Sequence, residues 1–156
     1  MFSVVSEPLL SIPAQAVVNH ANVGLQYASG LCGTIFDRAG KLKLQRACCA
    51  IGVCAVGEAV VTDGYDLSAK YIIHAVPPRW CGGKHGEDRL LEDCYRNCMK
   101  IARRLGVKSV AFPLLSEGCC NYPYGRGLAV AKKVLSAPEN DDVQIYLTLS
   151  ALADAV

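Results

Sequence analysis

One unit occurs twice in this chain of 156 residues, and it restricts the fold more than any other feature. A short apolar run, Ala16–Val18, leads through the small and polar residues of Asn19–Gly33 into a segment of helical periodicity. A second run, Val110–Pro113, leads through Leu114–Pro123 into another. The rest of the chain fills in around these two. Phe2–Val5, Glu58–Thr62, Tyr71–Val76 and Val143–Thr148 read as further strand segments, bounded by Pro and Gly, and the second run as part of a strand Ser109–Pro113. Helical patterns run over Leu31–Cys48, interrupted at Gly40, over Glu87–Leu105 and over Gly125–Leu135. Leu149–Val156 is expected to begin a short helix, Thr62–Tyr65 to turn on Asp63-Gly64, and the glycine-rich Arg79–Gly86 to be a mobile loop. Strands alternating with helices predict one α/β domain over residues 1–156 with a largely parallel sheet.

The clearest single element is Glu87–Leu105. Leu91, Cys94, Cys98, Ile101, Ala102 and Leu105 recur at spacings of three and four and so share one face. Glu87 and Asp88 suit the positive end of that helix, Arg103 and Arg104 the negative end, and Gly106 the cap. Lys100–Lys108 therefore reads first as a solvated basic face, with nucleic-acid contact the minority reading.

Composition excludes several classes. With 52% hydrophobic and 19% charged residues the chain is expected to be compact rather than disordered. No apolar run approaches the roughly 20 residues that span a bilayer. The start MFSVVSEPLL lacks the basic region and long apolar core of a signal peptide, which predicts an intracellular protein. A net charge of +2 does not by itself point to nucleic acid. The nine cysteines contain no CxxC pair, so they read as reduced thiols acting as small hydrophobes. His20, His74 and His85 are too dispersed to suggest a metal site.

Open α/β sheets bind ligands in the crevice beyond the carboxyl ends of their strands. Two loops rich in small residues, each entering a helix, would suit a diphosphate there. Asn19 and Asn22 add amides, which offer sugar hydroxyls both donors and an acceptor. They equally suit a strand exit and a turn cap, and the residues alone leave both readings open.

Four stretches, in this order, resemble the macrodomain family of ADP-ribose-binding modules, including some viral members. They are AVVNHAN (16–22), GEA (57–59), TDGYDLSAKYIIHAV (62–76) and CYRNCMKIARRLGVKSVAFPLLSEG (94–118). The resemblance implies a three-layer α/β/α sandwich around a mixed, largely parallel sheet of about six strands. It implies a cleft for ADP-ribose, with the diphosphate between Ser29, Gly30, Leu31, Cys32 and Gly33 on one side and Ser116, Glu117, Gly118, Cys119 and Cys120 on the other. Asn22 matches the asparagine at the distal ribose that helps position the reacting centre in hydrolytic members. Asn19 matches the first asparagine of the motif, more often structural. ADP-ribose is the implied ligand, with no cofactor, and mono-ADP-ribosylated proteins are the implied partners of a monomer without membrane association.

Several positions depart from the family. Tyr27-Ala28-Ser29-Gly30 stands where many relatives have four glycines, and Cys32 where many hydrolases have a water-activating aspartate. A neutral thiol is a poor base, and packing beneath the loop is the favoured reading of Cys32 over nucleophilic catalysis. Cys120 replaces an aromatic residue, and Glu117 puts a carboxylate beside the expected diphosphate. Glu7, after a small register shift, is the candidate for the adenine amino group. Three functions remain: an ADP-ribosyl or O-acetyl-ADP-ribose hydrolase, a non-catalytic reader, or a degenerate domain that serves as a protein or nucleic-acid interaction surface.

Overall fold

The computed structural model describes residues 1–152 of the chain. Six strands form one sheet: β1 (Phe2–Val5), β2 (Ala16–His20), β3 (Ala59–Asp63), β4 (Tyr71–Ala75), β5 (Ser109–Pro113) and β6 (Gln144–Thr148). Their spatial order is β1-β6-β5-β2-β4-β3. Every neighbouring pair is parallel except β3–β4, which is antiparallel. The helices are α1 (Leu31–Ala39), α2 (Lys41–Ile51), α3 (Glu87–Leu105) and α4 (Tyr124–Leu135).

Alternation along the central strands builds the three layers. Val18, Ile73, Val110 and Phe112 point into one core with Leu91, Cys94 and Cys98 of α3 and Val130 and Ala131 of α4. Val17, Ile72 and Ala111 point the other way, against Ile35 and Phe36 of α1 and Leu44 and Cys48 of α2. Successive strand side chains face opposite sides, so an apolar triplet such as Ala16–Val18 feeds both cores. Helix α3 has the boundaries its periodicity predicts, and Gly106 closes it in the left-handed conformation at φ 72°.

Two local readings shift. The predicted turn over Thr62–Tyr65 moves to Gly64–Leu67, because Thr62 and Asp63 continue the ladder opposite Ile72 and Tyr71. Leu67 N–H closes the turn on Gly64 O at 3.0 Å. A Cβ on Gly64 would lie 2.0 Å from Ala69 O, so only glycine fits that corner. Of the helix expected over Leu149–Val156, a turn at Ala151–Leu152 is present, and residues 153–156 lie outside the described residues. No described helix is long and apolar enough to cross a membrane. Among the described residues no disulfide forms: Cys32, Cys48, Cys54, Cys94, Cys98 and Cys120 are buried thiols, and Cys49 and Cys81 are exposed ones.

Candidate functional site

The carboxyl ends of β2 and β5 open onto a cleft of about 650 Å³, within the size range of small-molecule sites. Its first wall is the loop into α1. Gly30, at φ 74°, is the N-cap, and no side chain caps the helix. The first N–H groups of a helix have no partner inside it. Those of Leu31 and Cys32 therefore belong to the positive end of α1, and both residues line the cleft together with Ser29 and Gly30. Gly33 is buried and does not line the cleft. A Cβ there would sit 2.6 Å from Ala28 O, so the loop can fold back over α1 only on glycine.

The opposite wall comes from the second loop. Glu117 and Gly118 line the cleft, with Gly118 at φ 80° opening a single 3-10 turn, Gly118–Cys120. Burial raises the Glu117 carboxyl above its usual range. Ser116 does not reach the cleft. Its hydroxyl is buried without a hydrogen-bond partner and is wedged against Gly127 of α4. Cys120 is also buried, with its sulfur 3.5 Å from His20 Nε2. The side chain of Cys119 is not among those described.

Asn22 lines the cleft, and a turn made by its own side chain holds it there. Its Oδ1 accepts the Gln26 N–H and its Nδ2 donates to Gln26 O, both at 2.9 Å. Each end of an amide still has one further bond to give, a proton on Nδ2 and a lone pair on Oδ1. Asn19 is in a different environment. It lies within β2 rather than past its end, is fully buried, and does not line the cleft. Its Nδ2 is 3.1 Å from His74 Nδ1 and 3.7 Å from Cys32 Sγ. His74 Nε2 in turn is 3.0 Å from Thr62 Oγ1, which donates to Asp63 O. A donor at Nδ1 requires the His74 proton on Nε2, so the chain runs in one direction from Asn19 to Asp63.

Burial holds both sheet histidines neutral. His20, on the cleft wall, titrates below its usual range, and His74 falls to about 4. Burial pushes the Cys32 thiol up, against opposing contacts from Asn19 and Ala28. The Cys32 thiol is therefore protonated and, at 5% exposed, packs under the first loop between Asn19 Nδ2 and Gln26 O, to which it donates at 3.7 Å. Glu117 is the one carboxylate among the described lining residues. Glu7 sits outside the lining. Its side chain is exposed, and its carbonyl accepts the Thr148 hydroxyl.

Leu149–Leu152 form a third wall, without the aromatic or acidic residue that often borders the nucleoside in the family. It is tied back to the chain start, since Leu149 N–H donates to Val5 O and Leu9 N–H to Ala151 O, both at 3.1 Å. The parallel pairing of β1 with β6 brings these distant segments together.

This arrangement is that of the macro domain, whose family model matches residues 18–131. The chain is 43% identical over 123 residues to a macro domain-containing protein of Chlorobaculum tepidum, covering 79% of this chain and 71% of the relative. It is 39% identical over 137 residues to O-acetyl-ADP-ribose deacetylase 2 of Pantoea vagans, covering 85% and 80%. The solved Oceanobacillus iheyensis macrodomain with ADP superposes at a TM-score of 0.88 with 28% identity, over 94% of this chain and 82% of that one. The chain belongs to the macro domain family, and the α/β/α sandwich expected from the resemblance is the fold observed.

Proposed function

We propose that the cleft binds ADP-ribose, free or as a mono-ADP-ribosyl group on a protein. One observation carries the reading: the uncapped N-terminus of α1 at Gly30–Cys32 and the glycine-led turn at Gly118 face one cleft from two sides. Backbone N–H groups and a helix dipole favour a diphosphate held between them. Asn22, with a free proton and a free lone pair, supports recognition of a ribose at the same rim. The ADP-bound macrodomain of O. iheyensis and the deacetylase of P. vagans point to the same ligand class. Calorimetric titration tests the proposal: binding of ADP-ribose at micromolar to tens of micromolar is expected, and no heat at high micromolar ligand would reject it.

Asn22 and the deacetylase relative favour a second reading, hydrolysis of O-acetyl-ADP-ribose or of mono-ADP-ribosyl bonds. Cys32 stays protonated, so no base comes from the first loop, and a water oriented by Asn22 and the substrate's own phosphate would be the nucleophile. Turnover of either substrate no faster than with an Asn22→Ala variant would leave the reader function alone.

A further inference from the structure

Among the described residues, two local backbone bonds span the second loop of the cleft, Glu117 N–H to Leu114 O at 3.1 Å and Asn121 N–H to Gly118 O at 3.4 Å, and the Cys120 sulfur rests 3.5 Å from His20 Nε2. Gly118 and Asn121 both sit at positive φ, 80° and 54°. Glycine and asparagine adopt that conformation readily, so it sets the shape of the turn but not its place against the cleft. The constraint comes from outside. On the entry side, the Tyr95 hydroxyl of α3 accepts the Leu115 N–H at 2.9 Å.

On the exit side stands the 79–86 loop, whose glycines predicted mobility. The Glu87 carboxylate reverses that expectation: Oε2 accepts the N–H groups of Cys81 and Gly83 at 2.8 Å, and Oε1 accepts that of His85 at 2.6 Å. Burial alone would push this carboxyl up, but the backbone N–H groups around it outweigh burial and bring it down to about 2. The clamp therefore stays ionised at neutral pH. The clamped loop presents Trp80, the chain's single tryptophan. Its backbone N–H donates to Cys120 O at 2.8 Å, and its indole, the part a substitution removes, lies 4.8 Å from the Tyr122 ring, centroid to centroid. Arg126 packs over the indole at 4.9 Å and pairs with Asp88 at 2.7 Å, and Asp88 also accepts the Tyr122 hydroxyl. A Cβ on Gly83 would lie 2.7 Å from the indole, so glycine is needed for the loop to close on it.

We propose that Trp80 is a positioning residue for the ligand site. It docks the Glu87-clamped loop onto Cys120 and Tyr122 and holds the Gly118–Cys120 turn facing the N-terminus of α1. Trp80 does not line the cleft and acts through those two residues. The proposal rests on the cleft being the ADP-ribose site, and two measurements separate the failure of one from that of the other.

Amide hydrogen exchange without ligand is compared for the wild type, Trp80→Ala, Trp80→Phe and Glu87→Gln, alongside calorimetry with ADP-ribose. In Trp80→Ala, exchange at Gly118–Asn121 should accelerate at least tenfold while amides of β2 and of Ser29–Gly33 stay within twofold. Its ADP-ribose affinity should fall at least tenfold. Trp80→Phe keeps an aromatic ring on Tyr122 and should restore both readouts to within threefold of wild type. Glu87→Gln should move both in the direction of Trp80→Ala, and it provides the readout if the alanine variant fails to fold. Exchange at Gly118–Asn121 unchanged, or accelerated equally in β2, overturns the positioning role. A wild type that fails to bind ADP-ribose overturns the functional reading, while the exchange pattern still decides the role of Trp80.

Discussion

Protonation of His74 is a quantitative test of the hydrogen-bond chain behind the cleft. The imidazole is 1% exposed, between Asn19 and Thr62, and titrates at about 4 against an ordinary 6.5. The folded state therefore refuses a proton that the unfolded chain accepts, so stability falls as the pH drops from 6.5 toward 4 and levels off below that. Each pH unit within that window costs about 1.4 kcal/mol, and between pH 7 and pH 5 the loss integrates to about 2 kcal/mol. His74→Gln removes the titrating group. Its own packing cost shifts stability by a constant, which drops out when only the pH dependence is compared. Urea unfolding of both proteins at half-unit steps from pH 7 to pH 5 measures the difference. His20 is common to both and cancels. The stability gap between them should close by about 2 kcal/mol toward pH 5, beyond the roughly 10–15% uncertainty of linear extrapolation. Parallel curves would refute the neutral, buried His74, and with it the one-way chain from Asn19 to Asp63. Protonation would put a donor on Nδ1 against the Asn19 donor, so the contact that seats Cys32 under the first loop is the expected casualty.

Other outcomes follow from the same geometry. Glu117→Gln removes the one described carboxylate on the cleft wall and should tighten ADP-ribose binding about fivefold, on the order of 1 kcal/mol, with the gain shrinking in 0.5 M salt. Weaker binding by calorimetry would mean that Glu117 holds the ligand. Gly127→Ala places a methyl 2.1 Å from Ser116 Oγ and 2.4 Å from its Cβ, and should cost about 2 kcal/mol in urea unfolding. Adding Ser116→Gly should recover most of that loss, and its failure to do so would show that the clash lies elsewhere. Iodoacetamide at pH 8 should label Cys49 and Cys81 ahead of Cys48 and Cys94, whose thiols burial pushes to about 11 and about 12. Mass spectrometry finding Cys94 among the earliest labelled sites would contradict its place in the core.

How much of this protein is legible in its sequence depends on how local the signal is. Helix α3 and strand β5 have the predicted boundaries because periodicity, end charges and Gly106 act within a few residues of one another. The family follows from the motif order, and the two glycine-bearing loops follow from the strand-to-helix pattern. The roles of the two asparagines required the third dimension. Three residues apart in one motif, they separate because Asn19 is still in register opposite His74 in β4, while Asn22 closes a turn on Gln26. Glycine content alone pointed to a mobile 79–86 loop. Three N–H groups converging on one buried carboxylate say otherwise, and their convergence depends on the fold of the loop around Glu87. The wall at Leu149–Leu152 exists because parallel pairing of β1 with β6 joins the two ends of the described chain. Short-range preferences therefore determined the elements and their order. Which polar groups face the ligand and which face one another was decided by contacts between residues far apart in the chain, and no window of sequence contains both partners.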